Sequence, residues 1–332
     1  MNSKVAVITG ASAGVGRATA RRLAEEGYDV ALLARGEKGL EGARGEVEAA
    51  GRRALALSTD VAEPAQVEEA AERIERELGP IDLWVNNAMT TIFSPLSEIK
   101  PEEFRRATEV TYLGTVWGTM AALRRMRPRN RGKVVLVGSA LAYRGIPLQS
   151  AYCGAKHAIK GFFESVRTEL IHEGSEVDIS IVELPGLNTP QFDHCRTRLP
   201  KQPQPVPPIY EPEVAAEGIA WIAQNDEREL YVGAPTWKTI LGNKVAPGIV
   251  DLYLAKTAYS GQQADEPVNG DRPDNLFEPV ERDEGAHGPF DGRSRSRSPL
   301  LWMAKNRRKL GAVTLAGAGI TAAAATALIR RD

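Results

Sequence analysis

The chain has few of the residues that build disulfide-bonded or metal-dependent proteins. Only two cysteines, Cys153 and Cys195, occur among 332 residues, which argues against a disulfide scaffold and fits a reducing compartment. Only four histidines occur, and none has metal-ligand spacing with a cysteine, so no metal site is expected.

An excess of charge of one sign is also lacking. The formal net charge is −1, so no overall field draws the protein to nucleic acid, which is not an expected partner. Residues 1–4 lead directly into the first apolar run, which leaves no room for a signal peptide, and we expect a cytoplasmic location. The hydrophobic share of 42% and the charged share of 26% are typical of a soluble globular protein.

Short apolar runs alternate with longer amphipathic stretches up to about residue 233. The runs are rich in Val, Ile and Leu, which suits strands buried on both faces, and the stretches between them have the spacing of helices. This alternation predicts an α/β fold with a parallel sheet, helices on both faces and right-handed crossovers. The predicted strands cover residues 5–9, 29–34, 54–58, 81–85, 133–138, 178–183 and 230–232.

Seven prolines interrupt the pattern within residues 187–212. So many prolines exclude a regular helix or a central strand. A long irregular loop in a compact domain is usually a lid or a binding loop, and a loose surface insertion is the alternative.

The composition changes again near residue 260. Residues 264–291 contain nine acidic and two basic residues with frequent Pro and Gly, so they should be extended or disordered, and could drape over the domain. The Arg-Ser alternation at 293–298 is better explained as a solvated linker than as an RNA contact. We therefore expect a domain over residues 1–260, an extended linker over 261–300, and a C-terminal helix over 301–332.

The C-terminal stretch 312–329 is Ala-rich, carries no charge, and is flanked by basic residues. As a helix it would span about 27 Å, slightly less than the ~30 Å of a hydrocarbon core. Two interpretations stay open, a membrane anchor or interfacial helix and an Ala-rich helix packed on the protein or on a partner.

A glycine-rich turn follows the first predicted strand and opens a helix. Its glycines allow the backbone to turn sharply and to approach a pyrophosphate at the helix N-terminus. The same turn without a ligand is the structural alternative. The residues expected to contact a dinucleotide here are Thr9, Gly10, Ser12, Gly14, Val15, Gly16 and Arg17.

A serine, a tyrosine and a lysine form the second chemical pattern. Tyr152 and Lys156 lie one helical turn apart, so the ammonium should lower the pKa of the phenol toward the working range. A phenol tuned in this way can exchange a proton with an alcohol during hydride transfer. Ser139 follows a predicted strand at the carboxyl edge of the sheet, where its hydroxyl can bond the substrate oxygen.

Over roughly residues 1–260 these motifs, in order and in register, resemble the short-chain dehydrogenase/reductase family. Members carry a T-G-x-x-x-G-x-G motif, Asn-Asn-Ala after the fourth strand, a Ser about thirteen residues before Tyr-x-x-x-Lys, and Pro-Gly with a nearby Thr after the sixth strand. The matching residues are Thr9, Gly10, Gly14, Gly16, Asn86, Asn87, Ala88, Ser139, Tyr152, Lys156, Pro185, Gly186 and Thr189, with Asp60 and Val61 at the adenine position.

The resemblance implies a Rossmann-type doubly wound parallel sheet of about seven strands in one domain. It implies that Tyr152 is the general acid/base, that Ser139 orients the substrate, and that Lys156 binds the nicotinamide ribose. It also implies a homodimer or homotetramer formed by the long helices matching 101–126 and 151–172. The remaining implied cofactor contacts are Asp60, Val61, Asn87, Ala88, Pro185, Gly186 and Thr189.

Two positions depart from the family pattern. Met89 replaces the usual Gly after Asn-Asn-Ala, and its side chain would narrow the substrate pocket or make its wall more apolar. Thr111 stands where members usually have an Asn whose backbone carbonyl holds a relay water. Thr111 is therefore a candidate catalytic residue, with the position of that water in doubt.

Arg35 indicates the choice of cofactor. It follows the second predicted strand, where an acidic residue would bond the ribose of NAD(H) and repel a 2′-phosphate. A guanidinium there binds a phosphate through charge-assisted hydrogen bonds, and Arg17 should reach the same group. The sequence thus predicts NADP(H) over NAD(H), with Arg35 stacking on the adenine or facing solvent as the alternative.

The leading interpretation is an oxidoreductase that moves a hydride between NADP(H) and a carbonyl or alcohol. Apolar candidates for the pocket wall, such as Phe93, Leu141 and Phe192, favour a lipophilic substrate. A dinucleotide-binding sensor or scaffold without turnover is the second interpretation. A third is an RNA-binding or membrane-scaffold protein that acts through the basic tail.

Overall fold

The computed structural model describes residues 3–307, and within this range the expected α/β architecture is confirmed. Seven strands form one parallel sheet in the order β11-β7-β6-β4-β1-β2-β3. Their bounds are β1 Val5–Thr9, β2 Asp29–Ala34, β3 Ala54–Ser58, β4 Ile81–Asn86, β6 Lys133–Val137, β7 Asp178–Glu183 and β11 Glu229–Tyr231. The chain winds outward in both directions from β1 and β4, so the crevice of a doubly wound sheet opens at their carboxyl ends.

Helices cover both faces of this sheet. Their bounds are α1 Gly14–Glu25, α2 Glu37–Ala49, α3 Pro64–Glu77, α4 Pro101–Thr108, α5 Gly114–Met126, α6 Ser150–His172, α7 Gln191–His194, α8 Pro212–Ala223, α9 Ala234–Val245 and α10 Pro247–Gly261. Every residue of β1, β2 and β6 is buried, because each strand packs against helices on two sides. Two apolar clusters result: Ile8 and Leu32 lie on the face of α1 and α8, and Trp84 and Phe163 on the face of α5 and α6.

The proline-rich region is packed rather than loose. It contains α7 and three short strands, β8 Arg196–Thr197, β9 Lys201–Pro203 and β10 Ile209–Tyr210. Strand β8 pairs with β5 Ile92–Phe93 beside the sheet. Phe192, Leu199 and Ile209 join Phe93 in a buried cluster, so the region forms a wall above the carboxyl edge.

The segment after α10 lies on the domain instead of leading away from it. Its strands β12 Gln263–Pro267 and β13 Ser294–Arg295 pair with β9 and β10. Leu276 is fully buried beside Ile92 and Ala107. We call residues 263–298 the strap. The sequence predicts an extended linker over 261–300 that could drape over the domain, and a few isolated apolar residues such as Leu276 anchor this otherwise charged segment there.

No helix within residues 3–307 is long and apolar enough to cross a membrane. The Ala-rich stretch 312–329 lies outside the described residues.

Replacement of Leu276 by Ala tests whether the strap folds together with the domain. We expect it to lower the free energy of unfolding by about 2–5 kcal/mol in a single transition, because it leaves a cavity in a buried cluster. Phe277→Ala is the matched control, since that neighbouring side chain is 42% exposed and should cost much less. Denaturant unfolding measures both. Equal, small losses would show that the strap is detached in solution.

Candidate active site

A pocket of about 780 Å³ opens at the carboxyl ends of β1 and β4. It collects most of the residues that the sequence singles out. Those in its lining are Gly10, Ser12, Gly14, Val15, Arg35, Asp60, Val61, Asn87, Ala88, Ser139, Tyr152, Lys156, Pro185, Gly186 and Thr189. Four of the expected site residues are not in the lining, namely Thr9, Gly16, Arg17 and Thr111.

The glycine turn is shaped by close approach of two backbone segments. Gly10 and Gly14 have φ of +67° and +58°, which glycine adopts without strain. A Cβ at Gly16 would lie 2.1 Å from the carbonyl oxygen of Gly10. Thr9 acts behind the turn, where its Oγ1 accepts hydrogen bonds from the amides of Asn87 (2.9 Å) and Ala88 (3.0 Å). Thr9 and Gly16 therefore shape the pocket without lining it.

Arg17 does not reach the pocket, which corrects its expected role. Its side chain is 3% exposed, and its guanidinium pairs with Glu46 at 3.0 Å and Asp283 at 2.9 Å. It also donates to the carbonyl of Gly39 at 2.9 Å. The Arg17 guanidinium therefore faces α2 and the strap, and not the position beside Arg35 where the sequence predicts a phosphate.

Arg35 lines the pocket, and the strap holds it there. Its Nη1 donates to the carbonyl of Phe277 at 2.6 Å and its Nη2 to that of Asn275 at 2.5 Å. Arg106, which the sequence gave no reason to select, pairs with Asp60 in the same corner. The Asp60 carboxylate is thereby neutralised.

Ser139, Tyr152 and Lys156 meet in the pocket. Strand β6 ends two residues before Ser139, and α6 presents Tyr152 and Lys156 on one face. The Lys156 Nζ lies 5.5 Å from the centroid of the Tyr152 ring and donates to the carbonyl of Val137 at 2.6 Å. Ser139 and Tyr152 both line the pocket, and the Ser139 Oγ accepts from the amide of Leu141 at 3.1 Å.

The pKa of Tyr152 is raised, and the expected lowering by Lys156 is not found. Burial raises the pKa of the phenol, while the hydroxyl of Ser139 lowers it. Burial also lowers the pKa of Lys156 to about 8, so the ammonium is itself disfavoured there. Its Nζ donates to the carbonyl of Val137.

Thr111 lies behind the pocket and is not part of its lining. It sits in a π-helical turn, Glu109–Leu113, and is fully buried. Its hydroxyl accepts from the amide of Thr90 at 3.1 Å and donates to the Thr90 carbonyl at 3.0 Å. Its own carbonyl accepts the hydroxyl of Thr115 at 3.0 Å. Thr111 thus holds the loop that carries Met89.

Glu183 is a buried acid that the sequence analysis missed. It ends β7 with 0% exposure, and neither carboxylate oxygen has a hydrogen-bond partner within the described part of the chain. A Cβ at Gly138 would lie 2.3 Å from its Oε2, so the carboxylate packs against the backbone that leads to Ser139. Burial raises its pKa to about 7, against the lowering effects of Lys160, the Ser139 amide and Lys156. The sequence feature that could have indicated Glu183 is an acidic residue at the end of a mostly apolar strand.

Within residues 3–307, no cluster of His, Cys, Asp and Glu side chains is arranged to hold a metal ion.

Comparison with known proteins identifies the family. The short chain dehydrogenase profile matches residues 4–199, more than half of the chain. The chain belongs to the short-chain dehydrogenase/reductase family of oxidoreductases.

Individual relatives extend this match. A protein of Bacillus subtilis (strain 168), named as the uncharacterized oxidoreductase YxnA, is 33% identical over 328 residues, which are 98% of this chain and 91% of the relative. A metagenomic short-chain oxidoreductase in complex with NADP superimposes with a TM-score of 0.59 at 27% identity, over 70% of this chain and 97% of that one. A short chain dehydrogenase of Mycobacterium paratuberculosis bound to NAD gives 0.60 at 25% identity, over 69% and 96%.

Replacement of Glu183 by Gln tests the buried acid. The pKa of Glu183 in the folded protein is about 7, above the ordinary value of 4.5, so ionisation of this acid opposes folding. The protein therefore loses stability as the pH rises from about 4.5 through 7. We expect Glu183→Gln to gain stability relative to the parent between pH 5 and pH 8, by at most about 3 kcal/mol.

Denaturant unfolding at the two pH values measures this gain. Glu98→Gln serves as the control, because that acid is exposed on the surface. A stability difference between the Glu183 variant and the parent that stays constant with pH would show that Glu183 does not ionise in this range.

Proposed function

We propose that this short-chain dehydrogenase/reductase transfers a hydride between NADP(H) and a carbonyl or alcohol substrate, with Tyr152 as the general acid/base. The observation that carries the proposal is the meeting of Ser139, Tyr152 and Lys156 in one pocket with the glycine turn. A phenol, a hydroxyl and an amine at one end of a dinucleotide-sized pocket suit proton exchange with a substrate oxygen.

The pocket fits an extended dinucleotide. The glycine turn at the start of α1 places Gly14 and Val15 in the lining, where the N-terminus of the helix favours a pyrophosphate. Arg35 and Asp60 border the adenosine end, and Lys156 lies at the nicotinamide end. The comparison with NADP- and NAD-bound relatives supports the same class of cofactor. When bound, the cofactor supplies or accepts the hydride.

The protein's own residues handle the proton. Because burial raises the pKa of Tyr152, the phenol is protonated at neutral pH, which is the form that gives a proton to a carbonyl oxygen during reduction. Ser139 lines the same pocket as Tyr152, and its hydroxyl can orient the same substrate oxygen. Lys156 is buried and donates to the Val137 carbonyl. Its amine therefore provides a proton donor next to the Tyr152 ring and stays outside the space proposed for the substrate.

The substrate is proposed to be lipophilic. The pocket wall beyond the catalytic residues is largely apolar, and α10 adds further aliphatic side chains to it. Met89 is part of this wall, so the departure from the usual Gly narrows the space beside the nicotinamide end. The apolar lining residues are Met89, Phe93, Leu141, Ile146, Leu187, Phe192, Val250 and Leu254.

We also propose a homodimer or homotetramer built on α5 and α6. Each of these helices carries an exposed apolar side chain: Met120 of α5 is 42% exposed and Ile171 of α6 is 65% exposed. Exposed apolar groups on two long neighbouring helices favour burial against a second copy.

Replacement of Tyr152 by Phe tests the acid/base assignment. We expect turnover of a carbonyl substrate, followed as NADPH oxidation, to fall by about 10² or more, because the proton donor is removed. NADPH binding should be largely kept. Tyr143→Phe is the control, since it removes a hydroxyl that lies outside the pocket lining. Parent-like turnover by Tyr152→Phe would refute the role. A parent that binds NADPH but reduces no aldehyde or ketone of a broad panel would instead be a sensor or scaffold.

The proposed preference for NADP(H) depends on Arg35. It lines the pocket at the end of β2, and Arg106 pairs with the nearby Asp60, so the guanidinium of Arg35 can bind a 2′-phosphate through charge-assisted hydrogen bonds. We expect the parent to bind NADP(H) at least about tenfold more tightly than NAD(H), or ~1.4 kcal/mol. Arg35→Asp should invert the preference, because it removes the attraction and adds repulsion.

Dissociation constants for both cofactors, measured by fluorescence titration of parent and variant, decide this prediction. Lys38→Asp makes the same charge change at an exposed position nearby and should leave the preference intact. Equal or tighter binding of NADH by the parent would contradict it.

A further inference from the structure

The strap crosses the mouth of the pocket and contributes to its lining. The residues that do so are Asn275, Pro279, Val280, Arg282 and Glu284. The family profile ends at residue 199, so this wall lies beyond the matched region. The Bacillus relative, by contrast, aligns with 98% of the chain.

At the adenosine end, two arginines of the domain hold three consecutive peptide groups of the strap. Arg35 donates to the carbonyls of Asn275 and Phe277. Arg106 donates from Nε to the carbonyl of Leu276 at 3.2 Å. A guanidinium has five N–H donors, so Arg35 keeps others for a further acceptor. The strap fixes the direction of this side chain and leaves it able to bind an anion.

At the glycine turn, the strap contacts the backbone of the loop itself. The amide of Gly14 donates to the carbonyl of Gly285 at 3.0 Å. Asp283 pairs with the buried Arg17 at 2.9 Å. A Cβ at Gly42 would lie 2.1 Å from Oδ2 of Asp283, so α2 leaves room for this carboxylate only because residue 42 is glycine.

At the opposite rim, the strap is tied to the proline-rich region. The amide of Asn275 donates to the carbonyl of His194 at 2.9 Å, and His194 Nδ1 lies 2.8 Å from Oε2 of Glu284. The amide of Phe290 donates to Oδ1 of Asn188 at 2.9 Å. The strap thus joins both rims and spans the opening between them.

We infer that the strap is part of the dinucleotide site: residues 275–285 form its outer wall, position Arg35 for a 2′-phosphate, and retain NADP(H) in the pocket. This inference rests on the proposed function. A ligand that lies along the glycine turn must pass the strap to leave, and passage requires these contacts to open. Cofactor release is therefore limited by the strap, and it is slower in the intact chain than in a chain with a loosened strap.

Stopped-flow measurement of NADPH release tests this limit in the full-length chain. NADPH is preloaded and displaced by excess NADP⁺ while its fluorescence is followed. The double variant Asp274→Ala/Asp283→Ala loses the pairs with Arg196 and Arg17. We expect it to release NADPH about tenfold faster or more, because affinity changes of this kind reside mainly in the dissociation rate. Glu266→Ala is the control, since it removes an exposed strap carboxylate outside the pocket lining.

Amide hydrogen exchange on the parent gives a second measurement that needs no variant and no turnover. NADPH should slow exchange across residues 275–285 more than NADH does, because only NADPH carries the 2′-phosphate that engages Arg35. Equal release rates in parent and double variant, or exchange unaffected by NADPH, would overturn the inference alone. A parent that binds neither nucleotide would overturn the proposed function and the inference with it.

Discussion

Two side chains join the turn after β1 to the turn after β4. The hydroxyl of Thr9 accepts the amides of Asn87 and Ala88, and Nδ2 of Asn87 donates to the carbonyls of Thr9 and Gly10. Gly16 packs its α-carbon against the carbonyl of Gly10, where any Cβ would collide. These contacts shape the crevice that the doubly wound sheet opens at the carboxyl ends of β1 and β4. Arg35 and Tyr152 line the same pocket.

Behind the catalytic face, the fold buries charge at a cost in stability. Lys156 has a pKa lowered to about 8 and Glu183 a pKa raised to about 7, in both cases chiefly through burial. Each group partly offsets the cost of the other, since each favours the charged form of its neighbour. Neither carboxylate oxygen of Glu183 has a hydrogen-bond partner among the described residues, so the compensation is incomplete. Such unsatisfied groups are typical of functional sites rather than of cores selected for stability alone.

The sheet and the grouping of Ser139, Tyr152 and Lys156 in one pocket could be predicted from the sequence because their signals are local. Buried strands are short apolar runs, and Tyr152 and Lys156 are separated by one helical turn. The errors concern residues whose partners are distant in sequence. Arg17 was expected at a phosphate, but Asp283, 266 residues away, captures it. The composition predicts an extended segment that could drape over the domain, but it does not indicate that Leu276 is the residue buried there. The spacing of apolar and polar residues along the sequence does not indicate contacts between such distant residues.

The strap also determines when, during synthesis, the pocket becomes complete. Domains begin to fold from the N-terminal side as the chain emerges. A nascent chain that has emerged as far as residue 262 already contains all seven strands of the sheet, with Ser139, Tyr152 and Lys156. At that stage Arg35 and Arg17 have none of the strap partners that hold them in the finished protein, and the hydrophobic recess for Leu276 is open. The parallel sheet can therefore assemble before its pocket is closed. Closure of the pocket depends on strap residues that the ribosome adds later.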